Sequence, residues 1–192
     1  NPQALSSSTD AEQRLIEKRD HTFSISLTPS GEISTTYWYQ IDPSLENDGH
    51  TTTNKLGYYD TGANEWTKSN LNQWYHLCSS FGPGNKSRIY INGELDSEVS
   101  LSNKNGRNIG NFSSTVKTQF GRYRYDTDHF YTGKMDEVKL YNQSLDLQQI
   151  KQVKKGLPVS NKNLVFYQDF NEGPEKCSLS STENCLKGES RF

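Results

Sequence analysis

The strongest constraint on this chain is a period-two alternation of apolar and polar residues, in short runs broken by glycine. Phe23, Ile25 and Leu27 alternate with Thr22, Ser24 and Ser26 up to Pro29, the pattern of a strand with one face buried and the other wet. Ser30-Gly31 then leads into a second run, Ile33 to Ile41, which carries Tyr37, Trp38 and Tyr39. The spacing predicts a hairpin. Asn92-Gly93 lies between Ser87–Ile91 and Glu94–Leu101, and this dipeptide suits a two-residue type I′ turn because both of its positions need positive φ. Further strands are expected at Leu56 to Tyr59, Glu65 to Thr67, Thr118 to Gly121, Lys134 to Tyr141 and Asn163 to Phe170. One more should start at Trp74, with Trp74, His76 and Cys78 on one face, and end at Gly82-Pro-Gly84.

Two segments read as helical. Asp146 with Gln149 three residues on forms a cap, Leu147, Ile150 and Val153 make a narrow apolar stripe, and Gly156 and Pro158 stop the helix. Asp10-Ala-Glu-Gln13 offers a similar cap for a short polar helix through Arg19, with only Leu15 and Ile16 as large apolar residues. A stripe that narrow does not hold a helix alone, so residues 1–20 are expected to form a polar arm, flexible or docked. The class expected is all-β: a two-sheet antiparallel sandwich with one short helix near the C-terminus.

Composition bounds the function. The chain has 192 residues, 31% of them hydrophobic and 11% aromatic, and the aromatic content argues against disorder. Its 21 Lys and Arg against 23 Asp and Glu give a net charge of −2, with the signs interspersed. That balance does not favour nucleic acid. No apolar run approaches the roughly 18 residues of a membrane span. The sequence begins at Asn1 and its one methionine is Met135, as expected of a processed product or a segment of a longer protein.

Three ordered motifs, Trp74-Tyr-His-Leu-Cys78, Arg88-Ile-Tyr-Ile-Asn-Gly93 and Gly133-Lys-Met-Asp-Glu-Val-Lys-Leu-Tyr-Asn142, continue into Leu145 and Gln149-Ile150. Together they resemble the signature of laminin G-like and pentraxin-like jelly rolls of the concanavalin A-like lectin superfamily. The resemblance implies a jelly roll over residues 21–173, flanked by the arm and a tail at 174–192. It leaves function open, because this fold serves lectins, adhesion modules and glycosidases alike. Members often open with a strand similar to Leu164-Val-Phe-Tyr-Gln-Asp-Phe-Asn-Glu-Gly173, which here stands near the C-terminal end. Either that strand closes its own sheet, or it or the arm completes the sheet of a neighbouring copy. Head-to-tail donation that does not close yields a filament.

The leading expectation is therefore an extracellular or cell-surface structural or adhesion glycoprotein module without catalytic activity, whose partners are other copies of itself. The alternative is a lectin that binds a glycan through the loop Gly121 to Tyr131, where Tyr123, Arg124, Tyr125, Asp126 and Asp128 supply ring faces and charged hydrogen-bonding groups. A calcium ion at Asp126 and Asp128 would need more oxygen ligands than these two carboxylates offer, and no cofactor is expected. A glycoside hydrolase is more remote: the resemblance implies a Glu-x-Asp-x-Glu strand for such enzymes, whereas Asp136 and Glu137 are adjacent and would point to opposite faces of a strand. Asn85-Lys-Ser87, Asn111-Phe-Ser113 and Asn142-Gln-Ser144 are N-glycosylation sequons. Cys177 and Cys185 lie close together in the polar tail, where a disulfide would staple what packing cannot; two free thiols are the alternative. Cys78 reads as a small buried hydrophobe or as the partner of a cysteine elsewhere.

Overall fold

A computed structural model describes residues 2–3, 12–18, 23–29, 31–37, 52–58, 72–82, 86–100, 118–122, 130–159, 161–171 and 189–190. The chain divides into two compact units, Asn1–Gly133 and Lys134–Phe192. The fold is all-β, with antiparallel sheets and a single short helix among the described residues.

The first unit holds two sheets. One has five strands: β1 (Gln13–Lys18), β2 (Phe23–Leu27), β3 (Glu32–Tyr37), β4 (Thr52–Tyr58) and β8 (Gln119–Phe120), in the order β4-β3-β2-β1-β8. The other consists of β5 (Leu77–Gly82), β6 (Lys86–Ile91) and β7 (Glu94–Ser100), in sequence order. The expected β2–β3 hairpin forms with Leu27 opposite Ile33. Gly31, at φ 83°, donates its N–H to the Thr28 carbonyl at 2.9 Å. In the β6–β7 hairpin Asn92 and Gly93 have φ 53° and 81°, as the type I′ turn requires.

The helix expected over residues 10–19 is instead strand β1, bonded to β2 on one side and to β8 on the other. Tertiary pairing overrides a weak local preference here: a helix of this composition buries almost nothing, whereas the strand gains two ladders and places Leu15 against the core. A bulge between Arg14 and Ile16 makes this possible. It sets Arg14 opposite Ser26 and Glu17 opposite Ser24, so that two residues three apart share one face. That face is polar and buried. Ser24, Ser26, Ser34 and Glu17 are each 1% exposed, and Glu12 accepts from Ser26 Oγ at 2.9 Å and pairs with Arg14 at 3.1 Å.

The opposite face meets the second sheet. Leu27 and Ile33 pack with Ile89 and Ile91, and Leu15, Ile25, Tyr75 and Leu77 close around them. The strand expected from Trp74 starts only at Leu77, so the alternation predicted for Trp74 and His76 does not hold. Their segment is fixed by other bonds, described below.

The second unit contains β9 (Val138–Tyr141), α1 (Leu147–Lys154), a 3-10 turn (Asn161–Asn163), β10 (Leu164–Gln168) and β11 (Glu189–Ser190), with sheet order β11-β10-β9. The strand expected from Lys134 begins at Val138. Glu137 has φ 52° and its N–H bonds to the Asp136 carboxylate at 2.8 Å, a local side-chain turn that competes with the ladder. The helix ends match the sequence reading. Asp146 Oδ1 accepts from the Gln149 N–H at 2.8 Å while its own N–H donates to Gln149 Oε1 at 2.9 Å, a reciprocal capping box. At the other end Gly156 lies at φ 68°, its N–H reaching the Val153 carbonyl, and the Leu157 N–H reaches the Gln152 carbonyl, which is a Schellman stop. Of the apolar stripe, Ile150 is buried while Leu147 is 41% exposed.

Ile89 has no exposed surface. Ile89→Ala should therefore cost about 2–5 kcal/mol in equilibrium denaturation. Asp146→Ala should cost about 0.5–2 kcal/mol through the lost cap.

Candidate functional site

Within the first unit a small, partly open apolar cavity of about 50 Å³ lies at the margin of the core, lined by Pro2, Leu15, Leu77, Tyr75 and Tyr131 among others. Two of its lining residues have exposed aromatic neighbours in the chain. Trp74, next to Tyr75, is 56% exposed, and Phe130, next to Tyr131, is 50% exposed. Large aromatic rings left in water next in the chain to such residues are candidates for contact with a ligand or partner.

Backbone bonds hold both ring-bearing segments. Residues 73–75 arch between two asparagines: the Asn72 N–H, at φ 65°, donates to the Pro2 carbonyl at 2.8 Å, and the Asn92 N–H donates to the His76 carbonyl at 2.8 Å. On the other side the 121–131 loop is tied at its base. The Tyr131 N–H donates to the Gly121 carbonyl at 2.9 Å, and the Gly121 N–H to the Leu15 carbonyl at 2.9 Å. Phe130 bridges to Arg14, Thr132 donates to Gln13 Oε1 at 2.9 Å, and the Gln3 N–H donates to the Thr132 carbonyl at 2.8 Å. Pro2 and Gln3 thus clasp the arch to the loop stem. Burial pushes the Tyr131 phenol up to about 12, so it stays neutral and serves as a packing ring.

The lectin candidates Tyr123, Arg124, Tyr125, Asp126 and Asp128 lie outside the described residues, as does the calcium position at Asp126 and Asp128. Gly121, exposed Arg122, Phe130 and Tyr131 are the parts of that loop that are described. Phe130 lies within the loop that the sequence singles out, whereas Trp74 is a residue that sequence reasoning missed as a site member. Trp74 reads as a strand residue in the sequence, although Asn70 and Asn72, of a type that favours turns, stand just before it. Of the sequons, Asn142 is exposed in the turn after β9, while Asn85 and Asn111 are outside the described residues. Cys177 and Cys185 are outside them too. Cys78 carries a free thiol, which burial pushes up to about 12.

The carboxylates weighed for hydrolysis sit in the second unit. Glu137 accepts from the Tyr167 hydroxyl at 2.6 Å and from Lys139 Nζ at 2.6 Å, and Lys139 stands 4.9 Å from the Tyr167 ring centre. Lys139 first, and then Tyr167, hold the Glu137 carboxyl below its ordinary range. Such a group stays ionised, whereas a glycosidase acid needs its pKa raised. Among the described residues no group of three His, Cys, Asp or Glu side chains is placed to hold a metal ion.

Residues 4–151 match the family model described as the concanavalin A-like lectin/glucanases superfamily, of laminin G type. The chain belongs to this family. A solved Bacteroides ovatus protein, provisionally assigned to carbohydrate binding, has a similar fold, with TM-score 0.59 and 15% identity over 86% of this chain. The match covers 42% of that protein, so this chain spans less than half of its length. An S-layer domain-containing protein of Clostridium thermocellum is 16% identical over 79% of this chain and 66% of its own, with a TM-score of 0.36, too low to support an argument. No curated protein matches the chain.

Two titrations test the electrostatics. Cys78 should resist alkylation at pH 8 in the folded protein and react once it is denatured. Tyr167, whose phenol is pushed up to about 12 chiefly by its bond to Glu137, should return toward an ordinary tyrosine value in Glu137→Gln, as read by NMR of its ring. The sign follows from the neutral phenol donating to a carboxylate: the stabilisation is complete below the ordinary tyrosine pKa and is lost as pH rises through about 12. For Glu137 it is present above the ordinary glutamate pKa and is lost as pH falls through the lowered folded value.

Proposed function

We propose that this chain is a non-catalytic structural or adhesion module of an extracellular or cell-surface glycoprotein, a self-assembling filament subunit that meets neighbouring copies through its aromatic rim. The observation that carries the reading is the exposure of Trp74 and Phe130, each next in the chain to a residue that lines the apolar cavity. Trp, Tyr and Phe are enriched where protein surfaces meet, and a few such anchors supply most of the binding energy. Residues 13–18 and 164–168 pair within the chain, so a donated strand would have to exchange these same ladders between copies. N-glycans at Asn85, Asn111 and Asn142 and a Cys177–Cys185 bridge belong to the same picture, with the exposed Asn142 turn open to a transferase.

A second reading is favoured by Trp74 itself. A half-exposed indole offers a flat apolar face to sugar C–H groups, and the Bacteroides ovatus protein of similar fold has been assigned to carbohydrates. In that case Tyr123, Arg124, Tyr125, Asp126 and Asp128 would supply the polar contacts.

Light scattering and negative-stain imaging separate the two. The unaltered chain should form extended assemblies, and Trp74→Ala should raise the concentration needed for assembly by about tenfold or more, as loss of an interface anchor does. Particles of single-chain size from the unaltered chain, together with glycan-array signals that vanish in Trp74→Ala, would favour the lectin. Release of sugar from a β-glucan by the purified chain would overturn the non-catalytic reading.

A further inference from the structure

We propose that Asn92 is a positioning residue for the aromatic rim, holding the Trp74 arch through its side chain. The β5–β6 ladder runs from Gly82 opposite Lys86 to Leu77 opposite Ile91, so His76 and Asn92 are the next pair in line. In a regular ladder such a pair exchanges two backbone bonds. Here one is present, from the Asn92 N–H to the His76 carbonyl at 2.8 Å. The second is made differently: the His76 N–H donates to the side-chain Oδ1 of Asn92 at 3.1 Å. Asn92 must take φ 53° to open the type I′ turn, and in this left-handed conformation its side-chain carbonyl takes the place of the backbone carbonyl in the ladder. The turn alone accepts asparagine, aspartate or glycine. Only a residue with a short side-chain acceptor can both make the turn and fasten His76.

The consequence falls on the site. With His76 fastened at one end and the Asn72 N–H on the Pro2 carbonyl at the other, the residues 73–75 between them have little freedom. They carry Trp74 outward and Tyr75 into the cavity wall. The hydrogen bond therefore preorganises the rim, so that ordering of the arch is not charged to the binding step. The importance of this latch for function rests on the binding role proposed for the rim, but the latch itself can be measured separately.

Two variants at one position make the test. Asn92→Gly keeps the turn and removes the acceptor, whereas Asn92→Asp keeps both. With fluorotryptophan-labelled protein, and Trp74 assigned through Trp74→Phe, the Trp74 fluorine resonance should sharpen and shift toward its solvent value in Asn92→Gly and stay in place in Asn92→Asp. Self-association, or binding to a glycan found on an array, should weaken about two- to tenfold in Asn92→Gly, the effect of one hydrogen bond, and recover in Asn92→Asp. Should Asn92→Gly not fold, amide exchange in the unaltered protein decides: the His76 amide should be protected well beyond those of Gln73 and Trp74. An unmoved Trp74 resonance in Asn92→Gly, or a His76 amide exchanging as fast as its neighbours, overturns the proposal. A shifted resonance in a protein that neither assembles nor binds glycans supports the latch and overturns the binding role.

Discussion

Four aliphatic side chains, Leu27 and Ile33 from one sheet and Ile89 and Ile91 from the other, form the apolar contact on which the first unit depends. In a chain with 31% hydrophobic residues there is little else to bury, so each strand must present the correct face. A slip of one residue in β2 or β6 would send these side chains to the wrong side. The turns prevent it. Gly31 and the Asn92-Gly93 pair fix both hairpin registers at their closed ends, and the bulge in β1 corrects the phase of a strand whose sequence lacks clean alternation.

The same economy shapes the surface. Among the described residues, the segments bordering the core are held by a series of hydrogen bonds. The Trp74 arch is bonded to Pro2 and His76 is fastened to Asn92; the 121–131 loop is closed by Gly121 and Tyr131, and Gln3 reaches Thr132. Backbone groups satisfied in this way cost nothing further to bury. They leave Trp74 and Phe130 in water on an ordered framework, and ordered exposed rings are what a binding surface requires.

The elements that were legible in the sequence are those whose cause is local. The Asn92-Gly93 turn, the β2–β3 hairpin, the capping box at Asp146 and the Gly156 stop each depend on residues a few positions apart, and all formed as expected. Where the reading failed, a distant partner or a side-chain turn decided. Residues 10–19 read as a short helix capped at Asp10, yet residues 13–18 lie between β2 and β8, because two ladders outweigh a helix that could bury only Leu15 and Ile16. The Glu137 N–H, bonded to the Asp136 carboxylate, delays the start of the strand expected from Lys134 until Val138.

The site divides along the same line. The loop rich in tyrosine and arginine stands out by composition, and its two ends, Gly121 and Tyr131, are bonded to each other. Trp74 stayed hidden in a motif that reads as a strand, since exposure is a property of what lies around a residue and not of its neighbours in the chain. The sequence by itself determined the all-β class, the turns, the helix ends and the family, because these follow from side-chain periodicity and from φ preferences at single positions. Only the tertiary structure decided the pairing of β1, the bulge that phases it, and the exposure of two aromatic rings next in the chain to residues that line the cavity. Those depend on which distant backbone groups meet, and short-range energetics do not choose between such pairings.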